Sequence, residues 1–290
     1  MSWRTVVITK SAKLDYQLGY MVVRMEDVVK IHISEISVLM IETTSVSLTA
    51  ALLCELTKKK IKVIFCDEKR NPSSELLPYY GSHDTSMKIR NQIQWSDYQK
   101  GAIWSEIVAE KIRKQADVLY IWNKPESEKL LQYISEIEFK DGTNREGHAA
   151  KVYFNALFGM DFTRTDENSI NAALNYGYSL LLSICNREVV ANGYVTQLGI
   201  FHDNMFNQFN LGSDLMEPFR PIVDNLVRTL MPLKFESEEK RRVLELLQSE
   251  VIISGRKESL INAIKIYCKS IFDALNDNDL SLIKFYRNEL

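Results

Sequence analysis

The chain is poor in the residues that staple or punctuate small folds. Its four cysteines, Cys54, Cys66, Cys185 and Cys268, lie far apart with no Cys-x-x-Cys pair. That spacing argues against a structural zinc site and fits free thiols in a reducing compartment. Six prolines and 11 glycines in 290 residues are too few for a low-complexity or collagen-like chain. No apolar run approaches the roughly 18 residues that span a bilayer. The N-terminus, MSWRTVVITKSAKLDYQ, has no secretory apolar region. The expected location is therefore cytoplasmic, with no membrane contact. A Gly-x-x-x-x-Gly-Lys-[Ser/Thr] loop is also missing, so nothing points to a nucleoside triphosphate. A net charge of −2 argues against a uniformly basic nucleic-acid binder, although a local basic face can hide under a balanced total.

What is present divides into two parts, and the expected class is α+β. Residues 1–66 read as a β-sandwich-like domain. Val- and Ile-rich runs at Thr5 to Thr9, Leu18 to Met25, Val28 to Ile33, Val38 to Ile41 and Ile61 to Cys66 are separated by polar turns such as Ser11-Ala12-Lys13. One helix, capped by Ser47, is expected through Leu56, because Leu48, Leu52 and Leu56 repeat at helical spacing. Residues 67–84, with two prolines, both charge signs and a Gly-Ser, read as a linker. From 85 to 290 the period turns helical, which predicts a larger all-α domain. Helices are expected within Met87 to Leu119, then over Glu126 to Ile137, Glu146 to Phe158, Ser169 to Ile184 and Val189 to Leu198. Phe219 to Leu230, Lys240 to Leu247, Lys257 to Leu275 and Leu280 to Tyr286 complete the set.

Chemistry-bearing residues gather in the second part. The segment GIFHDNMFNQFNLGSDLMEPFRPIVD, 199–224, holds His202, Asp214 and Glu217. Asp-x-x-Glu spacing puts both carboxylates on one side of a helical turn. Taken alone the pair has a structural explanation, with Asp214 as an N-cap and Glu217 closing a capping box. Upstream, Glu146 opens its own helix, where a carboxylate also complements the dipole. Yet Glu146, His202 and Glu217 all fall near expected helix starts, with Arg145, Lys151 and Arg220 close by to meet phosphate. A carboxylate–imidazole–carboxylate set suits Mg²⁺ or Mn²⁺ better than zinc. Such an ion can polarise a phosphoryl oxygen. Lys88, Arg90, Lys111, Arg113 and Lys114 would extend a basic track or form a solvated helix face. His148, on the first turn after Glu146, reads as an exposed histidine and is not counted as a ligand.

The blocks REGHAAKVYFNALF, ALNYGYSLL and 199–224, in that order and spacing, resemble the signature of the CRISPR-associated spacer-acquisition integrase. AEKIRKQADVL at 109–119 and the 253–275 segment resemble the same family's other helical blocks, so the likeness covers most of the chain. The compact C-terminal blocks most resemble members from type II systems. The resemblance implies that Glu146, His202 and Glu217 hold the catalytic Mg²⁺ or Mn²⁺, although many members carry Asp where Glu217 stands. It places Asp214, Asn175 and Tyr178 in support of them, Asp214 as a brace or a cap. Arg145, Lys151 and Arg220 are the candidates for the DNA backbone.

The implied activity is that of a metal-dependent DNA integrase and endonuclease. It joins the 3′-hydroxyl of a short double-stranded fragment to a phosphodiester at the leader end of a CRISPR array. The implied assembly is a homodimer through the β-rich domain, two dimers clamping a small ferredoxin-like adaptation partner in a heterohexamer. In type II systems a ring-forming adaptation protein and the effector nuclease join it. Two other functions stay open on the residues: a non-catalytic DNA-binding scaffold of the same fold, and a general metal-dependent repair nuclease.

Overall fold

The computed structural model describes residues 4–78 and 82–287, and the chain divides into two units, Met1–His83 and Asp84–Leu290. In the first unit, β1 (Arg4–Ile8), β2 (Ala12–Gln17), β3 (Tyr20–Arg24), β4 (Val28–His32), β5 (Ile36–Ile41) and β6 (Val46–Leu48) precede α1 (Ala50–Lys58). Then come β7 (Lys62–Cys66) and β8 (Pro72–Glu75). One sheet has the order β1-β5-β7-β8, with β8 antiparallel to β7 and the other pairings parallel; the second has the order β4-β3-β2-β6. All six residues of β5 are buried, the pattern of a central parallel strand covered on both faces. Leu14, Met21, Ile36, Leu39 and Val63 share one apolar core with Leu52 and Leu56 of α1. Each such side chain contributes about 1.5–3 kcal/mol through burial.

Three details of this unit differ from the sequence reading. β2 occupies residues read as a turn, because Ala12, Leu14 and Tyr16 alternate inward behind the exposed Lys13. Ser47 lies in β6, and Thr49 caps α1 by accepting from the Leu52 N–H. The expected linker 67–84 is interrupted by β8, whose Glu75 pairs with the buried Lys62 ammonium. Residues 79–81 of that stretch lie outside the described residues.

The second unit comprises α2 (Thr85–Gln94), α3 (Asp97–Ile121), α4 (Glu126–Ser135), α5 (Arg145–Phe158) and α6 (Ser169–Ala191). They are followed by α7 (Asn210–Met216), α8 (Arg220–Leu230), α9 (Ser237–Glu245), β9 (Glu250–Ile253), β10 (Arg256–Ser259), α10 (Leu260–Asp277) and β11 (Tyr286–Arg287). The long α3 is the axis of this unit, packing against α4, α5, α7, α8 and α10. A full capping box at Ser96 and Gln99 starts it. α6 approaches α8 so closely that a Cβ on Gly177 would meet Val223 at 2.4 Å.

The unit is helical but not all-α. β9 and β10 form a hairpin around Ser254 and Gly255, both at positive φ, and β11 adds a third strand. Four-residue strands carry too few alternations to compete with the helical period around them. The expected helix at Val189 to Leu198 is also replaced: α6 runs unbroken to Ala191 and then stops at Gly193, φ 87°. Residues 192–209 contain no helix or strand. Among the described residues, no helix is long and apolar enough to cross a membrane.

Candidate active site

Three elements bring the two expected glutamates to one cation. Glu146 stands in the first turn of α5, anchored by a ring of caps. Asp141 accepts from the backbone N–H of Arg145 at 2.8 Å and of Glu146 at 3.0 Å, and Asn144 accepts from Gly147 at 3.3 Å. These bonds satisfy the orphan donors of the helix start and fix where Glu146 leaves the backbone. Glu217 opens the short 3-10 turn Glu217–Phe219 between α7 and α8, and its side chain is buried. From α3 the Lys111 ammonium reaches both, 2.6 Å from Glu146 Oε1 and 2.5 Å from Glu217 Oε2. Arg220 Nη2 holds the other oxygen, Glu217 Oε1, at 2.9 Å.

The charges support one another. Burial alone would lower the Lys111 pKa, but Glu217 and Glu146 outweigh it and hold the ammonium above its ordinary value. Burial would raise Glu217, but Lys111 and Arg220 outweigh it and hold the carboxyl below the usual range. At 2.5 Å from Glu217 Oε2 and 2.6 Å from Glu146 Oε1, the Lys111 ammonium takes the place between the two carboxylates where a divalent cation would sit.

His202 is built from the opposite side. Gly199 opens its turn, where a Cβ would lie 2.2 Å from the His202 carbonyl oxygen and 2.8 Å from Asp214 Oδ2. That turn aims three N–H groups at the Asp214 carboxylate: Ile200 at 2.6 Å, and Phe201 and His202 at 3.1 Å. Asp214 Oδ1 also takes His202 Nδ1 at 2.6 Å, which leaves the Nε2 lone pair for a ligand. The Asp214 hydrogen bond raises the His202 pKa against the opposing effect of burial, with Glu217 and Glu146 adding to the rise. Phe201 stacks on the buried Trp104 at 4.4 Å, and Trp104 meets the imidazole edge-on at 5.7 Å.

The alternative of a simple capping box is thereby overturned. Asp214 lies inside α7 with none of its side exposed, and it braces the 200–202 turn; Glu217 serves Lys111 and Arg220. Other expectations fare differently. Tyr178 gives its hydroxyl to the buried Asp224 and its ring face to Arg220, whose guanidinium centre is 4.7 Å away, so it supports Glu217 through Arg220. Asn175 is exposed and accepts from Arg164 at 2.7 Å, with no recorded contact to the glutamates or His202. Arg145 is tied to Glu136 at 3.1 Å and lies over Tyr133. Lys151 and His148 are exposed on α5. Among the described residues, no three His, Cys, Asp or Glu side chains stand together closely enough to hold a metal ion as placed. The Lys111 ammonium sits between the two glutamates.

With this geometry in place, the comparisons decide the family. The model of CRISPR associated protein Cas1 matches residues 5–245. The chain belongs to the Cas1 family. A CRISPR-associated endonuclease Cas1 of Neisseria meningitidis serogroup C (strain 8013) is 32% identical, over 98% of this chain and 96% of its own. The Cas1 fold extends to a solved casposase bound to integration product, with a TM-score of 0.77 at 18% identity over 96% of this chain and 91% of that one. A Cas6-RT-Cas1–Cas2 complex gives 0.73 at 18% identity, over 97% of this chain and 36% of that one.

For this Cas1-family site, sequence reasoning put Lys111 on a basic track or a solvated face, where the structure buries it between the glutamates, and it missed Asp141, Arg164 and Asp224. Lys111 had a usable signal: it falls on the same helical face as Trp104, Val108 and Gln115, all buried. Asp224 had none in its spacing, yet it bears on stability. Burial raises its pKa to about 6 against the hydrogen bond from Tyr178 and the charge of Arg220. A folded pKa above the unfolded value means that the native state prefers the protonated acid. The preference acts fully below pH about 4 and is lost as pH rises through about 6. Asp224→Asn is therefore expected to melt higher than the wild type at pH 7.5, by a gain worth on the order of 1–3 kcal/mol. The gain should fade as the buffer approaches pH 4. An equal difference at both pH values in thermal melts contradicts a raised pKa at Asp224.

Proposed function

We propose that this chain is a divalent-metal-dependent DNA integrase and endonuclease that inserts short double-stranded fragments into a CRISPR array. The observation that carries the reading is Glu146 and Glu217 sharing one cation beside an imidazole oriented by Asp214. The donor set of two carboxylates and one nitrogen fits Mg²⁺ or Mn²⁺, and the two carboxylates already share one cation, Lys111. Glu146, Glu217 and His202 Nε2 would hold the ion, which when bound supplies Lewis-acid polarisation of a phosphodiester oxygen.

The remaining roles belong to the chain. Asp214 keeps the proton on Nδ1, and Arg220 offsets the Glu217 charge and offers its remaining donors to phosphate. The step exchanges one P–O bond for another. The fragment's 3′-hydroxyl oxygen attacks phosphorus and gives up its proton, and the displaced strand leaves as a hydroxyl. No triphosphate and no protein nucleophile are consumed. Lys151, exposed on the helix that carries Glu146, would steady the DNA backbone.

The assembly we propose is a homodimer through the first unit, together with a small partner of the Cas2 kind named in the solved complex. β4 is an edge strand whose Val28 and Val29 are exposed, and Leu18 projects at the neighbouring turn. An apolar edge of this sort invites pairing with another copy. Val29→Glu is expected to give a monomer in light scattering; an unchanged dimer mass removes this edge from the interface.

Strand transfer of a short duplex into a plasmid carrying a leader and repeat tests the activity, run with the partner protein in Mg²⁺, Mn²⁺ or chelator. Product that depends on metal is the expected result. DNA binding without product under either ion points to a scaffold. Cutting of every duplex without preference points to a repair nuclease.

A further inference from the structure

Two side chains next to His202 are left in solvent by a loop that is far from loose. Met205 and Phe206 are 87% and 89% exposed. An apolar pair so placed on a flexible loop would fold back onto the nearest apolar surface. Here the backbone is locked by asparagines. The buried Asn210 accepts from the Asn204 N–H at 3.3 Å and donates to the Asn204 and Gln197 carbonyls, each at 3.1 Å. Asn204 Oδ1 then accepts from the Phe206 N–H at 2.9 Å, and the Asn204 carbonyl accepts from Asn207 at 3.0 Å. Asn207 in turn accepts from Phe209 at 2.9 Å. The loop is thus organised around presenting Phe206 outward.

We infer that Phe206, aided by Met205, is a stacking platform for an unpaired nucleobase of the DNA end that reacts at His202, an inference that rests on the proposed DNA chemistry. Three observations select this occupant. Phe206 lies four residues from His202, so its Cα is within about 14 Å along the chain. That is the scale separating a phosphodiester from the base of its own or the next nucleotide. The flanking residues, Asp203, Asn204, Asn207 and Gln208, are polar. Leu198 and Phe201 of the same loop are only 42% and 40% exposed, so the apolar surface that stands fully clear is two side chains, far below the roughly 800 Å² per partner of a stable protein interface but the size of one base. Finally, the proposed step acts on backbone phosphate and not on a base, so it is served by a contact blind to base identity, and an aromatic face supplies one because every base has a π-surface. A locked loop also means that little ordering entropy is lost when the base arrives.

The test uses the full chain and a duplex with a 3′ overhang bearing 2-aminopurine at its unpaired end, in chelator so that no transfer occurs. Binding is expected to quench the fluorescence in the wild type and in Phe206→Trp. Phe206→Ala should lose the quench and bind about tenfold more weakly. Because Phe206 touches solvent, its removal leaves the melting temperature unchanged. Equal quenching and affinity in Phe206→Ala overturn the platform. So does a change in solution mass with an unchanged DNA signal, which would assign the pair to a second copy of the chain. Glu146→Gln should retain the quench while losing transfer. If the wild type quenches but never transfers, the integrase reading fails and the platform stands.

Discussion

Glu146→Gln is expected to lower strand transfer by about three orders of magnitude, since an ion's charge stabilisation worth several kcal/mol depends on this ligand. The fold should survive. The replacement keeps the shape of the side chain, which is 22% exposed, and Lys111 keeps Glu217 as its partner. Asp141 and Asn144 still cap α5, because they bind backbone N–H groups and not the side chain. A thermal melt beside the transfer assay separates the two effects. Activity within tenfold of the wild type takes Glu146 out of the site. Lys111→Met provides the complementary result. Without its ammonium, Glu146 and the buried Glu217 lose their shared counter-charge. The metal-free protein should melt lower, and Mn²⁺ should raise its melting temperature by more than it raises that of the wild type. An equal rise in both would mean that Lys111 and the ion do not compete.

The largest loss of stability is expected from Asp214→Ala. Removing this carboxylate strands three backbone N–H groups and the imidazole Nδ1–H, in a place with no access for water to Asp214 itself. Breaking a buried, hydrogen-bonded charge costs about 3–5 kcal/mol. For a protein of this size that corresponds to a fall of roughly 10 °C in melting temperature. Burial raises the Asp214 pKa against the effect of His202 and the N–H donors, so the isolated carboxylate is costly and the site gains from it through its partners. Asp214→Asn keeps an acceptor for part of the turn. It should melt closer to the wild type yet lose about 10–100-fold in activity, because the imidazole is no longer held in one tautomer. Equal activity in the Asn variant would reduce Asp214 to a purely architectural brace.

Much of this molecule could be read from its residues, but unevenly. The two-part organisation followed from a change of period near residue 85, since α3 and α5 repeat their apolar positions over several turns. Glu146, His202 and Glu217 were singled out by type and by resemblance, while the meeting of the two glutamates was invisible, because α3 supplies the cation that joins them. Lys111 looked like one charge in a basic helix, and only its register with Trp104 and Val108 marked it as inward-facing. Residues 192–209 carry no sustained period, and the helix expected over Val189 to Leu198 ends at Ala191. Their order comes from Asn204, Asn207 and Asn210 bonding to backbone, and such bonds leave no pattern in sequence. The β9–β10 hairpin was hidden for a related reason: two strands of four residues, beside an 18-residue helix, are too short to announce themselves.

The pairing of Glu146 and Glu217 with Lys111 and Arg220 also bears on the order of events. Lys111 and Arg220 offset the charges of Glu146 and Glu217 before any divalent ion arrives. A polyanion approaching bare twin carboxylates would be repelled until the ion had neutralised them, which would impose an obligatory sequence of arrival. Here the polypeptide itself lowers that barrier. On the metal-dependent chemistry proposed above, DNA could settle first and recruit the ion with its own phosphate oxygens, or follow it, and both routes would end in the same complex.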